Sequence, residues 1–124
     1  MSKTKATQTA VENKLAEICP RVFYRKLPKK ETQTPYAVYD LLTVLNEDAQ
    51  QTLTLNIYLI DYGTDSTNAE ELCDKIEKAF DRWSVMTDEL FVYTYFNARQ
   101  PDDENDDRII MRRIEIEVRT TERR

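Results

Sequence analysis

The stretch that decides the fold spans residues 52–83 and reads TLTLNIYLIDYGTDSTNAEELCDKIEKAFDRW. Apolar residues alternate with mostly polar ones over residues 52–59, which is the period of a half-buried β-strand. After a turn, the apolar residues change to helical spacing. The stretch therefore predicts a strand that leads into an amphipathic helix over residues 68–83, with Phe80 and Trp83 anchoring the helix on a sheet. It carries no catalytic or phosphate-binding signature, so we interpret it as scaffold.

Two helix starts are marked by capping boxes, in which a threonine is followed three residues later by a glutamate. The pair Thr67 and Glu70 starts the helix of the central stretch. The pair Thr9 and Glu12 starts a second, shorter helix, which ends at Pro20 because proline cannot continue a helix.

The remaining apolar patterns predict four more strands around this central unit. They cover residues 21–25, 36–45, 90–99 and 110–119. A short turn joins the second of these to the central strand, which makes the two an antiparallel hairpin. The order α-β-β-β-α-β-β predicts an α+β fold, in which two helices pack on a largely antiparallel sheet of four to five strands. We expect one domain over residues 1–124, with flexible ends at residues 1–7 and 121–124.

The composition argues against catalysis. The chain has no histidine, which is the commonest general base and metal ligand, and its single glycine, Gly63, is too few for a phosphate-binding loop. Cys19 and Cys73 cannot supply a structural zinc site, and we expect both to be reduced core thiols of a cytosolic protein. We therefore predict no enzyme and no catalytic, cofactor or metal site. The sequence also shows no membrane-spanning run and no signal-peptide pattern, so we expect no membrane association.

Acidic residues offer the remaining chemical alternatives. One acidic loop contains Asp102, Asp103, Glu104, Asp106 and Asp107. We interpret it as a solvated hairpin loop, because its spacing is not that of an EF-hand; a weak Ca²⁺ or Mg²⁺ site between subunits is the alternative. An enzyme that uses carboxylates alone would rely on Asp61 and Asp65 at the end of the central strand. We attribute the acidic residue at position 61 to exposure to solvent, and Asp65 to its place in the turn.

Charge is unevenly distributed along the chain. Residues 1–30 carry a net charge of +6, residues 31–107 of −14 and residues 108–124 of +3, which together give the −5 of the whole chain. This separation favours contact between the ends of one copy and the middle of the next. The alternative is neutralisation within one folded subunit.

Basic and aromatic residues provide further candidate contacts. The basic loop contains Arg25, Lys26, Lys29 and Lys30. It could bind an acidic neighbour or a phosphate backbone, or it is a plain solvated loop. The seven tyrosines fall in or beside predicted strands. Because most of them lie in the acidic part of the chain, we expect strand packing and subunit contact rather than stacking on nucleic acid.

The order and spacing of the elements resemble a known protein family. The segments that carry the resemblance are RVFY at residues 21–24, PYAVY at residues 35–39, LTLNIYL at residues 53–59, the helix at residues 68–83 and RIEIEV at residues 113–118. This layout, over about residues 9–120, is similar to the small tail-completion proteins of long-tailed bacteriophages and prophages. The group includes tail terminators and head-to-tail joining proteins.

The resemblance implies a structural virion protein that forms a ring, commonly a homohexamer, at the head-proximal end of the tail. Such a ring stops growth of the tail tube and presents a docking surface to the head connector proteins, while DNA passes through the lumen as cargo. The protein would be located in the virion tail after assembly in the bacterial host cytoplasm. An acidic lumen repels the DNA backbone, so our hypothesis is that the acidic loop lies there. The alternative is a small homo-oligomeric ligand-binding or regulatory domain of ferredoxin-like type.

Overall fold

The computed structural model describes residues 3–19, 21–26, 33–47, 49–101 and 108–123 of the chain. It contains two helices, α1 (Lys3–Ala16) and α2 (Thr67–Phe80). The strands are β1 (Val22–Tyr24), β2 (Tyr36–Glu47), β3 (Gln50–Tyr62), β4 (Trp83–Met86), β5 (Leu90–Pro101) and β6 (Ile109–Glu122). Neither helix is long and apolar enough to span a bilayer over the part of the chain that is described.

All six strands belong to one sheet, in the order β1-β2-β3-β6-β5-β4. The strands β1 and β2 are parallel, and every other neighbouring pair is antiparallel. The predicted hairpin of β2 and β3 is confirmed, with Tyr36 opposite Ile60 and Glu47 opposite Gln50. The predicted sheet of four to five largely antiparallel strands was wrong, because the sheet is mixed and has six strands, although the fold is α+β.

The sixth strand exists because α2 ends earlier than its apolar spacing indicates. Asp81 leaves the helix with extended backbone angles, φ −74° and ψ 117°, and Arg82 turns the chain with a φ of 56°. Trp83 then begins β4 opposite Thr94. Its ring still packs edge-on against Phe80, with 5.6 Å between the centroids. The tight turn at Arg82 therefore places Trp83 against Phe80. One more turn of helix would also have brought these two residues together, because they are three positions apart.

The parallel pair follows from the long connection between β1 and β2. A tight turn would make consecutive strands antiparallel, whereas residues 25–35 are enough to carry the chain back to the side from which β1 started. Val22 accordingly lies opposite Ala37. Arg21 helps to hold the returning chain, because its Nε donates a hydrogen bond to the carbonyl oxygen of Gln33 at 2.8 Å.

One face of the sheet, here called the inner face, carries both helices and the hydrophobic core. Alternate residues of the two central strands are fully buried there: Leu53, Leu55, Ile57 and Leu59 of β3, and Ile114, Ile116 and Val118 of β6. The helices contribute Val11 and Leu15 from α1, and Ala69, Cys73, Ile76 and Phe80 from α2. Strands with alternating burial and helices with one apolar stripe therefore close a single core.

Both predicted capping boxes were wrong. Helix α1 begins at Lys3, and Thr9 lies inside it, where its hydroxyl donates a hydrogen bond to the carbonyl oxygen of Lys5 at 3.0 Å. At the start of α2, Asp65 rather than Thr67 provides the capping oxygen. Its carboxylate accepts hydrogen bonds from the backbone N–H of Thr67 at 3.0 Å and from the Thr67 hydroxyl at 2.6 Å.

Candidate assembly surfaces

The face of the sheet opposite the helices, here called the outer face, carries exposed aromatic side chains on β5. These are Phe91, Tyr93 and Tyr95, which we call the aromatic row; they are 45%, 46% and 37% exposed. They alternate with inward-facing residues such as Val92, which is fully buried. The rings of Tyr93 and Tyr95 stack, with centroids 5.6 Å apart. Large apolar side chains exposed next to one another are typical of a contact with another protein.

A polar strip on β6 and β3 separates the aromatic row from β2. Arg119 lies opposite Tyr93, and Glu117 lies opposite Tyr95. The guanidinium of Arg119 lies 5.7 Å from the Tyr95 ring centroid, and its Nε donates a hydrogen bond to Glu117 at 3.0 Å. Residues 50–52 of β3 and 119–121 of β6 line a shallow groove of about 470 Å³, together with the aromatic row and Leu45 of β2. The outer face at this end of the sheet is therefore an amphipathic surface.

The end of β2 extends past its neighbour β1. Strand β1 pairs only with residues 37–39, and Arg25 continues the contact by donating from Nη2 to the carbonyl oxygen of Leu41 at 3.1 Å. Residues 42–47, which we call the β2 arm, pair with β3 on one side, and no described strand pairs with them on the other. The arm carries three exposed apolar side chains: Leu42, Val44 and Leu45, which are 58%, 62% and 51% exposed.

Strand β4 forms the opposite edge of the sheet. It pairs with β5 on one side, and its other side faces no strand of the described chain. Met86 is 51% exposed on this edge. Edge strands of monomers are commonly protected by lysine, proline or other interruptions, yet β4 reads WSVM and residues 42–46 read LTVLN. Residues 42–46 and β4 are therefore two stretches of strand backbone, on opposite sides of the sheet, that carry no charged side chain and that no described strand covers.

A cluster of ion pairs fastens α2 to the strands. Arg99 of β5 bonds to Glu70, Asp74 and Glu77, with 2.8 Å to the Asp74 carboxylate, and Arg112 of β6 also bonds to Glu70. Hydrogen bonds from Arg112 and Arg99 lower the pKa of Glu70 below its usual value. Sequence analysis missed this cluster, since no periodicity links a helix to arginines on distant strands. These carboxylates join α2 to β5 and β6 within one subunit.

The structure describes only part of the predicted contact loops. Arg25 and Lys26 are exposed after β1, and the Arg25 guanidinium lies 5.3 Å from the centroid of the Tyr24 ring. The other predicted contact residues, Lys29, Lys30, Asp102, Asp103, Glu104, Asp106 and Asp107, lie outside the described residues. Their assignment to a subunit contact or a lumen stays a prediction.

The two carboxylates of the enzyme alternative, Asp61 and Asp65, bond to the backbone close to them. The expectation that Asp61 faces solvent was wrong, because it is only 7% exposed; its carboxylate accepts a hydrogen bond from the N–H of Tyr62 at 2.9 Å. The hydroxyl and N–H of Thr67 lower the pKa of Asp65. Local turn and cap geometry thus accounts for both residues. The described ranges contain no group of three or more Cys, Asp or Glu that could hold a metal ion.

The two cysteines are buried and unpaired, so the prediction of core thiols is confirmed. Cys19 is 1% exposed and Cys73 is 0% exposed. Burial raises the pKa of both thiols, and that of Cys73 reaches about 11. Neither thiol is therefore ionised near neutral pH.

The fold matches solved structures over the whole chain. One is a chain of the virion of a native gene transfer agent particle, with a TM-score of 0.73 and 13% sequence identity, over 98% of this chain and 99% of that one. A second solved structure gives a TM-score of 0.71 at 12% identity, over 100% of this chain and 98% of that one. The chain therefore shares its fold with a virion component. No family model and no curated protein matches the sequence.

Proposed function

We propose that the protein is a structural virion protein of a long-tailed bacteriophage or prophage and acts through its surfaces rather than as an enzyme. The observation that carries this proposal is the end-to-end fold similarity to a chain of a gene transfer agent virion. The resemblance of the sequence to tail-completion proteins points the same way.

Within the virion, the proposed role is a ring, a homohexamer, at the head-proximal end of the tail. The ring ends growth of the tail tube and joins the tail to the head connector proteins. Two features support a ring. Residues 42–46 and β4 lie on opposite sides of the sheet and no described strand covers them, and contacts between unlike surfaces form a ring when the rotation between subunits closes. The aromatic row supplies an apolar outer-face surface of the kind found in the centre of protein contacts.

Deletion of the coding sequence from the phage or prophage that encodes the chain tests the proposal. We expect filled heads without tails, together with separate tail tubes of uncontrolled length, in negative-stain images. A plasmid that supplies the wild-type chain should restore joined particles of uniform tail length, and the empty plasmid should not. Normal infectious particles in the deletion strain would contradict the proposal. Tails of normal length that fail to join heads would assign the joining role without the terminating one.

The acidic loop provides a second, narrower test of the ring. If Asp102, Asp103 and their acidic neighbours line the lumen, they repel the phosphate backbone of DNA during ejection. Reversing these charges to lysine should slow DNA ejection and leave ring formation intact. Ejection kinetics identical to those of the wild type would remove the loop from the lumen.

A further inference from the structure

We propose that Arg25 makes an autoinhibitory contact: it closes the free side of β2 and keeps a strand of a second copy from adding there. The free side is the side of β2 that β1 covers only at residues 37–39. This role belongs to the free subunit, goes beyond the proposed function and holds whether or not a ring is built.

The backbone of β2 shows where a strand can add. The carbonyl oxygen of Tyr39 accepts a hydrogen bond from the N–H of Arg25 at 2.9 Å, on the free side. Because backbone groups of alternate residues point to the same side of a strand, Leu41 and Thr43 turn theirs the same way. A β-bulge between Thr43 and Leu45 then interrupts the regular spacing. The regular stretch beyond β1 is therefore short, and Leu41 begins it.

The side chain of Arg25 occupies the first acceptor of this stretch. Its Nη2 donates to the carbonyl oxygen of Leu41 at 3.1 Å, which is the bond that a backbone N–H of an added strand would make. Arg25 has a φ of 52°, a left-handed conformation that is disfavoured for residues with a Cβ atom. Its guanidinium lies 5.3 Å from the centroid of the Tyr24 ring. An unfavourable backbone conformation that is kept with such a contact points to a role for the contact.

The opposite side of the sheet carries a similar arrangement. Phe96 lies beyond Thr94, where the pairing of β5 with β4 ends, and its N–H donates to the carboxylate of Asp81 at 3.4 Å. Asp81 lies just before β4, as Arg25 lies just after β1. At both places, a charged side chain next to a short edge strand bonds to the backbone of the longer neighbour. Charged side chains at an edge are a common protection against strand addition, and residues 42–46 have none of their own.

The variant Arg25→Met tests the contact, because methionine keeps an unbranched stem but cannot donate a hydrogen bond. Copies that can pair at Leu41 gain a backbone hydrogen bond, which corresponds to association about tenfold tighter. Light scattering over a dilution series should therefore detect association at about one-tenth of the wild-type concentration. Hydrogen exchange at equal concentration should show the Thr43 N–H protected in the variant and exposed in the wild type.

The matched control is Arg82→Met. Arg82 is also an exposed arginine beside an edge strand, with a φ of 56°. Each variant loses one positive charge, so both change the net charge from −5 to −6 and repel other copies equally. Arg82→Met should associate as the wild type does. An equal gain of association in the two variants would assign the effect to charge and overturn the role of Arg25.

A second change tests whether the association uses the backbone of β2. Proline at position 43 removes the N–H that points to the free side and spares the bonds to β3. Arg25→Met combined with Thr43→Pro should therefore return to the wild-type association. Association of the combined variant at the level of Arg25→Met alone would mean that another surface is used, and would overturn the proposal.

The variant Arg25→Gln guards against misfolding, because glutamine is polar but too short to reach Leu41 as arginine does. It should associate as Arg25→Met does, and it replaces that variant if Arg25→Met loses the circular dichroism spectrum of the wild type. Wild-type association and an exposed Thr43 N–H in a folded Arg25 variant would overturn the proposal. Normal particles from the deletion strain would overturn the proposed function and leave these results unchanged.

Discussion

Replacing Phe80 by alanine tests which face of the sheet is the core and which is the surface. Phe80 is 0% exposed at the end of α2 and packs against Trp83. Truncating a fully buried phenylalanine costs about 3–5 kcal/mol of unfolding free energy, through lost burial and the cavity left behind. Phe91 is 45% exposed on the outer face, so Phe91→Ala removes a ring that is already half in water. We expect that variant to cost about 1 kcal/mol.

Urea denaturation followed by circular dichroism measures both variants. Single domains are stable by about 5–15 kcal/mol, so Phe80→Ala should remove a large share of the total and lower the urea midpoint markedly. Phe91→Ala should unfold close to the wild-type midpoint but associate less with other virion proteins, because it belongs to the aromatic row. Equal losses of stability, or a larger loss for Phe91→Ala, would refute the assignment of the inner and outer faces.

Three further outcomes follow from single contacts. Since the two arginines hold the pKa of Glu70 low, its contribution is present above the unfolded pKa of about 4.3 and is lost as the pH falls through the lower folded pKa. The unfolding free energy of Glu70→Gln should thus vary less with pH over the acidic range than that of the wild type. The difference should be at most about 1 kcal/mol, because this side chain is more than one-third exposed, and urea denaturation at several acidic pH values measures it. A thiol reagent should label Cys19 and Cys73 only after unfolding; fast labelling of the native protein would contradict their burial. Tyr39→Phe removes the 2.8 Å hydrogen bond to Glu12 and should cost about 1 kcal/mol in thermal unfolding, and an unchanged midpoint would show that the bond adds nothing.

Most strands could be predicted because their burial alternates along the sequence. In β3, residues 53, 55, 57 and 59 are buried and residues 52, 54 and 58 are partly exposed, as the apolar alternation predicts. The errors arose where spacing alone cannot decide between two structures. Trp83 lies three residues after Phe80, which fits a helical turn and also fits a turn into a new strand. The sequence of β1 likewise does not specify a parallel partner, because strand direction depends on where the connecting loop returns.

The surfaces were predictable only in part. The tyrosines of β5 were expected in strands and in subunit contacts, and the structure shows Tyr93 and Tyr95 exposed on the outer face. The length of β2 that no described strand covers could not be predicted, since it depends on how short β1 is. The same holds for the cluster around Arg99, because it joins charges that are far apart in sequence and meet only when α2 packs on the sheet.

Trp83 gives the chain a built-in optical probe. It is the single tryptophan of the sequence, it begins β4 at the edge of the sheet, and the ammonium of Lys14 lies 5.5 Å from its ring centroid. Because the indole is only partly buried, its emission reports how much water reaches this edge. A strand that arrives from another copy would exclude that water and shift the emission to shorter wavelengths. The fluorescence of the unlabelled protein would therefore show, in real time, when its edge becomes covered.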